Sequence, residues 1–567
     1  MKQLDWIVLI ATLASIIVYG IYKSRTSKDL EGYFLSNRNL PWYVILLSIM
    51  GTQASAVTFL SAPGQAYTDG MRFVQYYFGL PLAAIVISVS FIPVFSKLKV
   101  FTAYEFLENR FDLKTRSFTS FLFLLQRGLS TGISIFAPSI ILSVLLGWNI
   151  YLTNLFMGGF LIIYTVAGGA RAVAHTQKIQ FLIIMAAMFL AGYFVVKDLP
   201  ENIGFADALT IGGKLGKFNV ITTGVQNGQF NWGDRYNIFS GIIGGFFLAL
   251  SYFGTDQSQV GRYITGKNTT ESRLGLLMNG VVKVPMQFFI LLIGVLVFAF
   301  YQFNSAPAFF NNFELSRLEA SELKPEINTL QQQLKNIDAK KVTVLAEYGT
   351  QGSEQSLALM QTLQKQTDSV RTAIKALVKK NNGQDNDTNY IFLRFVMDYL
   401  PVGLVGLIIA VIFMASWGSI AAALNSLASS TMIDFHKRFS KKEQSDRHYY
   451  RFSQFYTLLW GIFCILVAMF VSNWGNSLIE VVNILGSLFY GTILGIFLVA
   501  FYAKKVKGHA VFAAALIAEA LVILLFFLNE YKIISLGFLW LNAVGALAVW
   551  ALAIALQKLI GKKPVLP

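Results

Sequence analysis

The sequence predicts an all-α polytopic membrane protein with about thirteen transmembrane helices. Three observations lead there. Of 567 residues, 55% are hydrophobic and only 13% are charged, far from the make-up of a soluble domain. Apolar runs of about 20 residues, the length that crosses a bilayer, recur along the chain. The basic residues behind the net charge of +16 fall in alternate loops, a positive-inside pattern and not a nucleic-acid footprint.

In order, the runs are 5–23, 42–66, 72–96, 118–146, 149–168, 178–196, 237–257, 275–301, 391–432, 452–471, 476–502, 509–528 and 534–557. Lys23, Arg25, Lys28 and Arg38 follow the first; Lys97, Lys99, Arg110, Lys114 and Arg116 the third; Arg171 and Lys178 the fifth. Arg262, Lys267 and Arg273, then Lys437, Arg438, Lys441, Lys442, Arg447 and Arg451, then Lys504, Lys505 and Lys507, then Lys558, Lys562 and Lys563 continue the series. Placed in the cytoplasm, they put the N-terminus outside and the C-terminus inside a plasma membrane, expected to be a bacterial inner membrane. The first run has positives after it and no small-residue cleavage pattern, so it reads as an anchor helix.

Cys464 is the sole cysteine and sits inside a run, so no intrachain disulfide forms. The four histidines lack metal-ligand spacing, and no phosphate-cradling loop or nucleophile triad is present. An enzyme is not expected. From about 304 to 389 the chain turns polar. Leu315, Leu318, Leu323, Ile327, Leu330, Leu334 and Ile337 recur near helical spacing, a break follows at Gly349 to Ser353, and Leu357, Met360, Leu363, Val370, Ile374 and Leu377 resume it. This predicts an external two-helix hairpin with one apolar stripe per helix. A spacer packing on itself is preferred to a module for an unknown external partner.

Two runs carry glycine, serine and threonine at their centres where a plain spanning helix would carry leucine. One holds Ser48-Ile49-Met50-Gly51-Thr52-Gln53-Ala54-Ser55-Ala56-Val57-Thr58 and the other Ala415-Ser416-Trp417-Gly418-Ser419. Carbonyls freed at breaks in a bilayer persist only facing protein, water or an ion. A small cation wanting hard oxygen ligands is the expected occupant.

The segment Tyr33-Phe34-Leu35-Ser36-Asn37-Arg38-Asn39-Leu40-Pro41, then Tyr164-Thr165-Val166-Ala167-Gly168-Gly169, Gly254-Thr255-Asp256-Gln257 with Arg262-Tyr263, and Ser419 with Leu424-Asn425-Ser426 stand in a telling order. Through them the chain resembles the sodium/solute symporters, relatives of the sodium-coupled galactose, proline, sialic acid, iodide and monocarboxylate carriers. The resemblance implies a leucine-transporter-type fold of two inverted five-helix repeats, spans two to six and seven to eleven. The first helix of each repeat is broken, in the second repeat through Gly241, Gly244, Gly245 and Gly254. The expected organisation is a leading helix and loop (1–41), the first repeat and the start of the second (42–303), the hairpin (304–389), the rest of the second repeat (390–502), and two trailing helices with a tail (503–567).

The resemblance also implies site residues. Sodium, the coupling ion and the only cofactor-like species expected, would take the carbonyls of Gly51, Ala54 and Ala415 and the Ser419 hydroxyl. Gly418 stands where relatives carry a further hydroxyl, so a carbonyl, a water or Ser416 would complete the shell. A second sodium site of some relatives is not expected, because Gln177 replaces its aspartate and Ala421 and Ala422 its serines. Solute contacts carry over to Ser55, Thr58, Gln75 and Arg127, and the inner gate to Tyr252 with Gln53. Val57 and Thr58 replace a glutamate and glutamine of galactose carriers, which disfavours a neutral hexose.

Arg127 also stands out on its own chemistry. It lies about ten residues into its run, roughly 15 Å deep, where insertion costs about 2.5 to 3.5 kcal/mol unless a cavity or partner receives the charge. Its planar fork suits a carboxylate; a structural arginine satisfied by carbonyls is the plainer reading. Lys283 and Glu480 read as structural or vestibule charges. The expected function is sodium-driven import of a small organic anion, a carboxylate or acidic sugar, by alternating access. A neutral polyol, vitamin or amino acid is the alternative. A membrane sensor is disfavoured by the absence of a cytoplasmic extension after residue 557, and proton coupling by the lack of a carboxylate at the ion site.

Overall fold

The computed structural model describes residues 1–23, 35, 38–201, 203–351, 354–440, 444–470 and 477–560, apart from the side chains of 20–23, 164, 167–175, 346–351, 354 and 560. Several residues read from sequence lie outside it: Arg25, Lys28, most of the 33–37 motif, Ser353, Lys441, Lys442, Lys562 and Lys563, and the side chains of Lys23, Tyr164, Ala167, Gly168, Gly169, Arg171 and Gly349. Among the described residues, nine helices are long and apolar enough to cross a membrane, and four shorter apolar helices join them.

Helix α1 (Gln3–Lys23) precedes α2 (Trp42–Gln53), which begins after Pro41. Past a break come a π-turn (Val57–Ser61), α3 (Ala62–Asp69) and a 3₁₀ stretch (Gly70–Tyr77). The third span expected at 72–96 therefore starts as 3₁₀ helix and becomes α-helical only at α4 (Leu80–Val86), which continues through a π-turn into α5 (Ile92–Leu98). Gly70, at φ +76°, turns the chain there, and Met71 N bonds Lys217 O at 2.8 Å. A short α6 (Glu105–Arg110) leads to α7 (Leu113–Leu146), capped by Asp112 accepting from Thr115 N.

Two spans expected at 149–168 and 178–196 form one continuous helix, α8 (Ile150–Lys197). No proline interrupts the stretch, so the i to i−4 ladder carries through. After α9 (Phe205–Lys214) and a small β-hairpin of β1 (Val225–Gln226) and β2 (Gln229–Phe230), a π-turn (Ser240–Gly244) enters α10 (Gly245–Gly254). Of the four glycines expected to break this helix, Gly254 ends α10 and the break follows it at Thr255–Asp256, before α11 (Gln257–Tyr263), whereas Gly241 and Gly244 lie in the π-turn and Gly245 begins α10. Those three glycines serve close approach: a Cβ on Gly241 would lie 2.2 Å from Gln75 O and one on Gly245 2.6 Å from Tyr76 O.

Helix α12 (Thr269–Phe303) follows. Its first-turn Glu271 accepts from Trp42 N at 2.5 Å, so the second repeat caps α2 of the first. Outside the membrane region, α13 (Asn312–Glu319) precedes a hairpin of α14 (Lys324–Gln351) and α15 (Glu354–Lys380). The two run antiparallel, with Lys341 bonded to Gln364 and Lys380 near Glu326. Ile327 and Leu334 pack on Ile374 and Val378, and Met360 and Leu363 rest on Ile211 of α9.

The ninth span, expected over 391–432, is split by Pro401 into α16 (Ile391–Tyr399) and α17 (Leu404–Ser430). Its expected irregularity at Ala415–Ser419 is absent, since α17 runs straight through with the Ser416, Ser419 and Ser426 hydroxyls bonded back to its own carbonyls. A π-turn (Thr431–His436) ends it, and α18 (Asp446–Phe470), α19 (Leu478–Tyr502), α20 (Gly508–Glu530) and α21 (Leu539–Ile560) complete the chain. Asp5 accepts from Gly403 N at 2.6 Å, placing the start of the chain on the hairpin face, whereas Gln557 accepts from Lys507 N on the basic-loop face.

Buried carboxylates are paired on both faces. On the basic-loop face Arg116 clasps Asp434 at 2.7 Å and Glu108 at 2.8 Å, and Thr102 and Ser120 complete the buried Asp434 carboxylate. On the hairpin face Arg235 and Tyr236 hold Glu480 at 3.0 and 3.1 Å, and Arg72 holds Asp234 at 3.0 Å.

Two predictions follow from packing and burial. A Cβ on Gly294 of α12 would lie 2.1 Å from Pro63 O, whereas one on Gly159 meets nothing within 4 Å. Gly294→Ala is expected to cost about 1–3 kcal/mol of stability and to lower the Tm in detergent, with Gly159→Ala as the neutral control. In the hairpin, burial pulls the Lys341 ammonium down to about 8 from its ordinary 10.5. The unfolded segment then binds more protons between those values, so hairpin stability rises with pH from about 8 to 10.5. Hydrogen exchange across α14 and α15 should show that rise, and Lys341→Met should abolish it.

Candidate functional site

Where α2 ends, the backbone ladder changes partners. Ser55 N, which would continue the helix to Gly51 O, instead reaches Gln53 O at 2.9 Å. Thr58 N likewise turns to Ser55 O at 3.0 Å in place of Ala54 O. The Gly51 and Ala54 carbonyls are thereby released from the ladder inside the bundle. Ala415 and Ser419 lie on α17, where the Ser419 hydroxyl donates to Ala415 O at 2.9 Å and borders the same cavity as Thr52, Gln53 and Ser55.

Gln177 of α8 fills the seam between α2 and α17. Its amide accepts from the Ser48 hydroxyl at 2.9 Å, and its Nε2 donates to Gly418 O at 2.9 Å and Thr52 Oγ1 at 3.2 Å. A Cβ on Gly51 would stand 2.9 Å from Gln177 Cβ, and one on Gly418 2.9 Å from Gln180 Oε1. A side chain at 418 would require the end of the Gln180 amide to shift. Ser416, the other expected substitute, is fully buried and bonded back to Ile412 O.

The cavity has a volume of about 150 Å³ and is bordered by both broken helices, α7, α12, α17 and α19. Ser55, Thr58, Gln53, Arg127, Tyr252 and Ser419 all line it. Gln75 does not. Its amide is fully buried and spent on Arg72 O, Thr222 and Tyr236 O, because the 3₁₀ stretch turns Tyr76 and Tyr77 to the cavity instead. The expected gate partners are also apart in their bonding. Gln53 donates to Asn279 Oδ1 at 3.0 Å, while the Tyr252 hydroxyl accepts from Gln259 at 2.7 Å.

Arg127 has a carboxylate partner within the chain. Its guanidinium lies 3.3 Å from Asp256, donates to the Ser258 hydroxyl and sits 5.5 Å over the Tyr252 ring. Asp256 occupies the break before α11, where it accepts from Ser258 N at 2.8 Å and from the Tyr490 hydroxyl at 2.8 Å. The side chains are 11% and 0% exposed, so this pair is desolvated. It closes the cavity toward the basic-loop face, since Tyr104 of that loop donates to Thr255 O and Gln257 bonds Phe101 O and Ala103 N.

Lys283 is the second cation. It is 2% exposed, lines the cavity and rests 5.5 Å over the Tyr77 ring, and among the described residues no carboxylate pairs with it. From the sequence, Lys283 reads as a structural or vestibule charge and Asp256 belongs to the 254–257 motif without a site role, although an Asp before a short polar helix is an N-cap signal. For Lys283, span depth is a poor guide because α12 extends six residues before the expected start of its span.

The sodium:solute symporter family model matches residues 33–323 and 365–518. The sodium/sialic acid symporter of Aliivibrio fischeri is 25% identical over 549 residues, 96% of this chain and 91% of that one. The sodium/sialic acid symporter of Proteus mirabilis is 26% identical across 90% and 86% of the two chains, and the sodium/glucose cotransporter of Vibrio parahaemolyticus 23% across 91% and 84%. A solved substrate-bound, outward-open Na⁺-coupled sialic acid symporter superposes with a TM-score of 0.75 at 22% identity, covering 98% of each chain.

Breaking a desolvated ion pair from one side leaves a buried charge unmatched. Asp256→Asn and Arg127→Gln are each expected to lose about 3–5 kcal/mol, and the double variant to regain most of it. Thermal unfolding of the purified chain is the measurement.

Proposed function

Because the chain belongs to the sodium:solute symporter family, we propose that it imports an acidic sugar or related carboxylate with sodium, and that Lys283 and Arg127 supply the positive field for the carboxylate. Members of the family carry solutes across membranes with sodium as the coupling ion and do not transform them. The observation that supports the choice of an anion is the cavity's basic lining: Arg127 and Lys283 both border it, and among the described residues only Arg127 has a carboxylate partner, Asp256. An incoming carboxylate pairs with that lining, and a neutral solute does not. The substrate named for the two sialic acid relatives is consistent with this.

In this reading Ser55 and Thr58 on the broken helix hydrogen-bond the solute, and Gln75 serves the frame around it. Sodium takes the released carbonyls of Gly51 and Ala54 with Ala415 O and the Ser419 hydroxyl. Gly418 contributes no ligand, its carbonyl being engaged by Gln177. Tyr252, Tyr490 and the Arg127–Asp256 pair form the inner gate, and Gln53 borders it. The basic-loop face is cytoplasmic and the hairpin face external, in a plasma membrane. Each sodium entering gains about 2.3 kcal/mol per 100 mV from the potential, besides its own gradient. The hairpin is a spacer resting on α9, with an external partner as the second possibility.

Two outcomes test this. In proteoliposomes under an imposed sodium gradient, Lys283→Gln and Arg127→Ala are expected to reduce uptake of N-acetylated acidic sugars at least about tenfold, the loss of one charged contact. Unchanged uptake of every tested anion in both variants would defeat the anion assignment while leaving sodium coupling intact. Ser419→Ala is expected to raise the sodium concentration for half-maximal uptake about tenfold, with no such rise if Ser419 only packs.

A further inference from the structure

Two histidines meet outside the cavity, where the transport reading has no use for them. His436 closes the π-turn at the end of α17, and His448 lies in the first turn of α18. Their Nε2 atoms are 3.4 Å apart. On the far side of His436, Nδ1 is 2.7 Å from the Tyr456 hydroxyl. The Phe452 ring stacks on His448 at 4.4 Å and lies 4.9 Å from His436, which holds both imidazole planes. Both histidines are half-buried, so solvent reaches the pair.

Zinc binds imidazole nitrogen at about 2.0–2.1 Å with tetrahedral geometry, so two such nitrogens stand about 3.3–3.4 Å apart across the ion. The observed separation is that chord. A ligating histidine also needs an outer partner for its other nitrogen, and the Tyr456 hydroxyl lies within hydrogen-bond distance of His436 Nδ1; in the Nδ1–H tautomer it would accept from that nitrogen and leave the Nε2 lone pair free. Without metal, the same spacing accommodates a single Nε2–H to Nε2 hydrogen bond, and a tautomer change in His436 converts one arrangement into the other. Among the described residues no third His, Cys, Asp or Glu joins the two.

We propose that His436 and His448 form a two-imidazole site for a divalent transition metal ion, Zn²⁺ or Ni²⁺, that ties the end of α17 to the start of α18. Imidazole pairs favour these late first-row ions over Mg²⁺ or Ca²⁺, which demand oxygen. The bridged turn begins two residues after Asp434, the carboxylate clasped by Arg116.

Calorimetric titration of the full-length chain in detergent with Zn²⁺, after chelator treatment, tests it. One ion per chain is expected, with no comparable heat from Mg²⁺. His448→Ala and His436→Gln should each weaken binding at least about tenfold, and Tyr456→Phe should weaken it by less. Co²⁺ should give a visible ligand-field spectrum that His448→Ala abolishes. Failure to bind Zn²⁺ at millimolar concentration, or equal affinity in the parent and His448→Ala, would overturn the site. If His436→Gln does not fold, His448→Ala at the exposed turn decides alone. Neither result bears on sodium coupling or solute choice.

Discussion

A main-chain group that leaves a helix within a bilayer must find another partner, and this requirement organises the centre of the molecule. The two breaks meet it in opposite ways. At the end of α2 the released groups are acceptors, the Gly51 and Ala54 carbonyls, and they call for a cation. At the start of α11 the exposed groups are donors, and Asp256 satisfies Ser258 N with its own carboxylate. That carboxylate then needs a positive partner, which α7 supplies as Arg127 and α19 supports through Tyr490.

The Arg127–Asp256 pair therefore joins three walls of the cavity by one charge interaction. Its desolvation costs more than an exposed bridge would return, so its value lies in position more than in net stability. It places a bulky, hydrogen-bonded plug on the basic-loop side, while among the described residues no carboxylate pairs with Lys283. In the proposed reading, an anion entering from the hairpin side meets Arg127 and Lys283 with the Asp256 carboxylate already engaged. Arg127 would then serve both binding and gating, an arriving carboxylate competing with Asp256 for the same guanidinium.

Small residues around the proposed sodium site have a matching explanation. Gly51 and Gly418 face Gln177 and Gln180, and a Cβ at either glycine would strike those side chains. Gln177 in turn bonds Ser48, Thr52 and Gly418 O, tying α2 to α17 with a neutral amide. The missing hydroxyl at 418 and the glutamine at 177 are two halves of one packing solution. Elsewhere, close backbone approach at Gly64, Gly241 and Gly294 holds the broken helices against their neighbours.

Spans, loop polarity, the break after Gln53 and the apolar stripes of the hairpin were legible in the amino-acid sequence, because bilayer length, charge placement and helical periodicity are local properties. So was the resemblance that singled out Ser55, Thr58, Gln75 and Arg127 for the solute and Ser419 for sodium, of which all but Gln75 line one cavity. Which way a side chain turns depends on its neighbours, and there the tertiary structure decided. The 3₁₀ geometry of 70–77 spent Gln75 on the loop at 222–236, Asp256 claimed Arg127 across 129 positions, and the reach of α12 carried Lys283 into the cavity. Pairing between distant residues is set by how helices cross, and no periodicity in a single strand of sequence records that crossing.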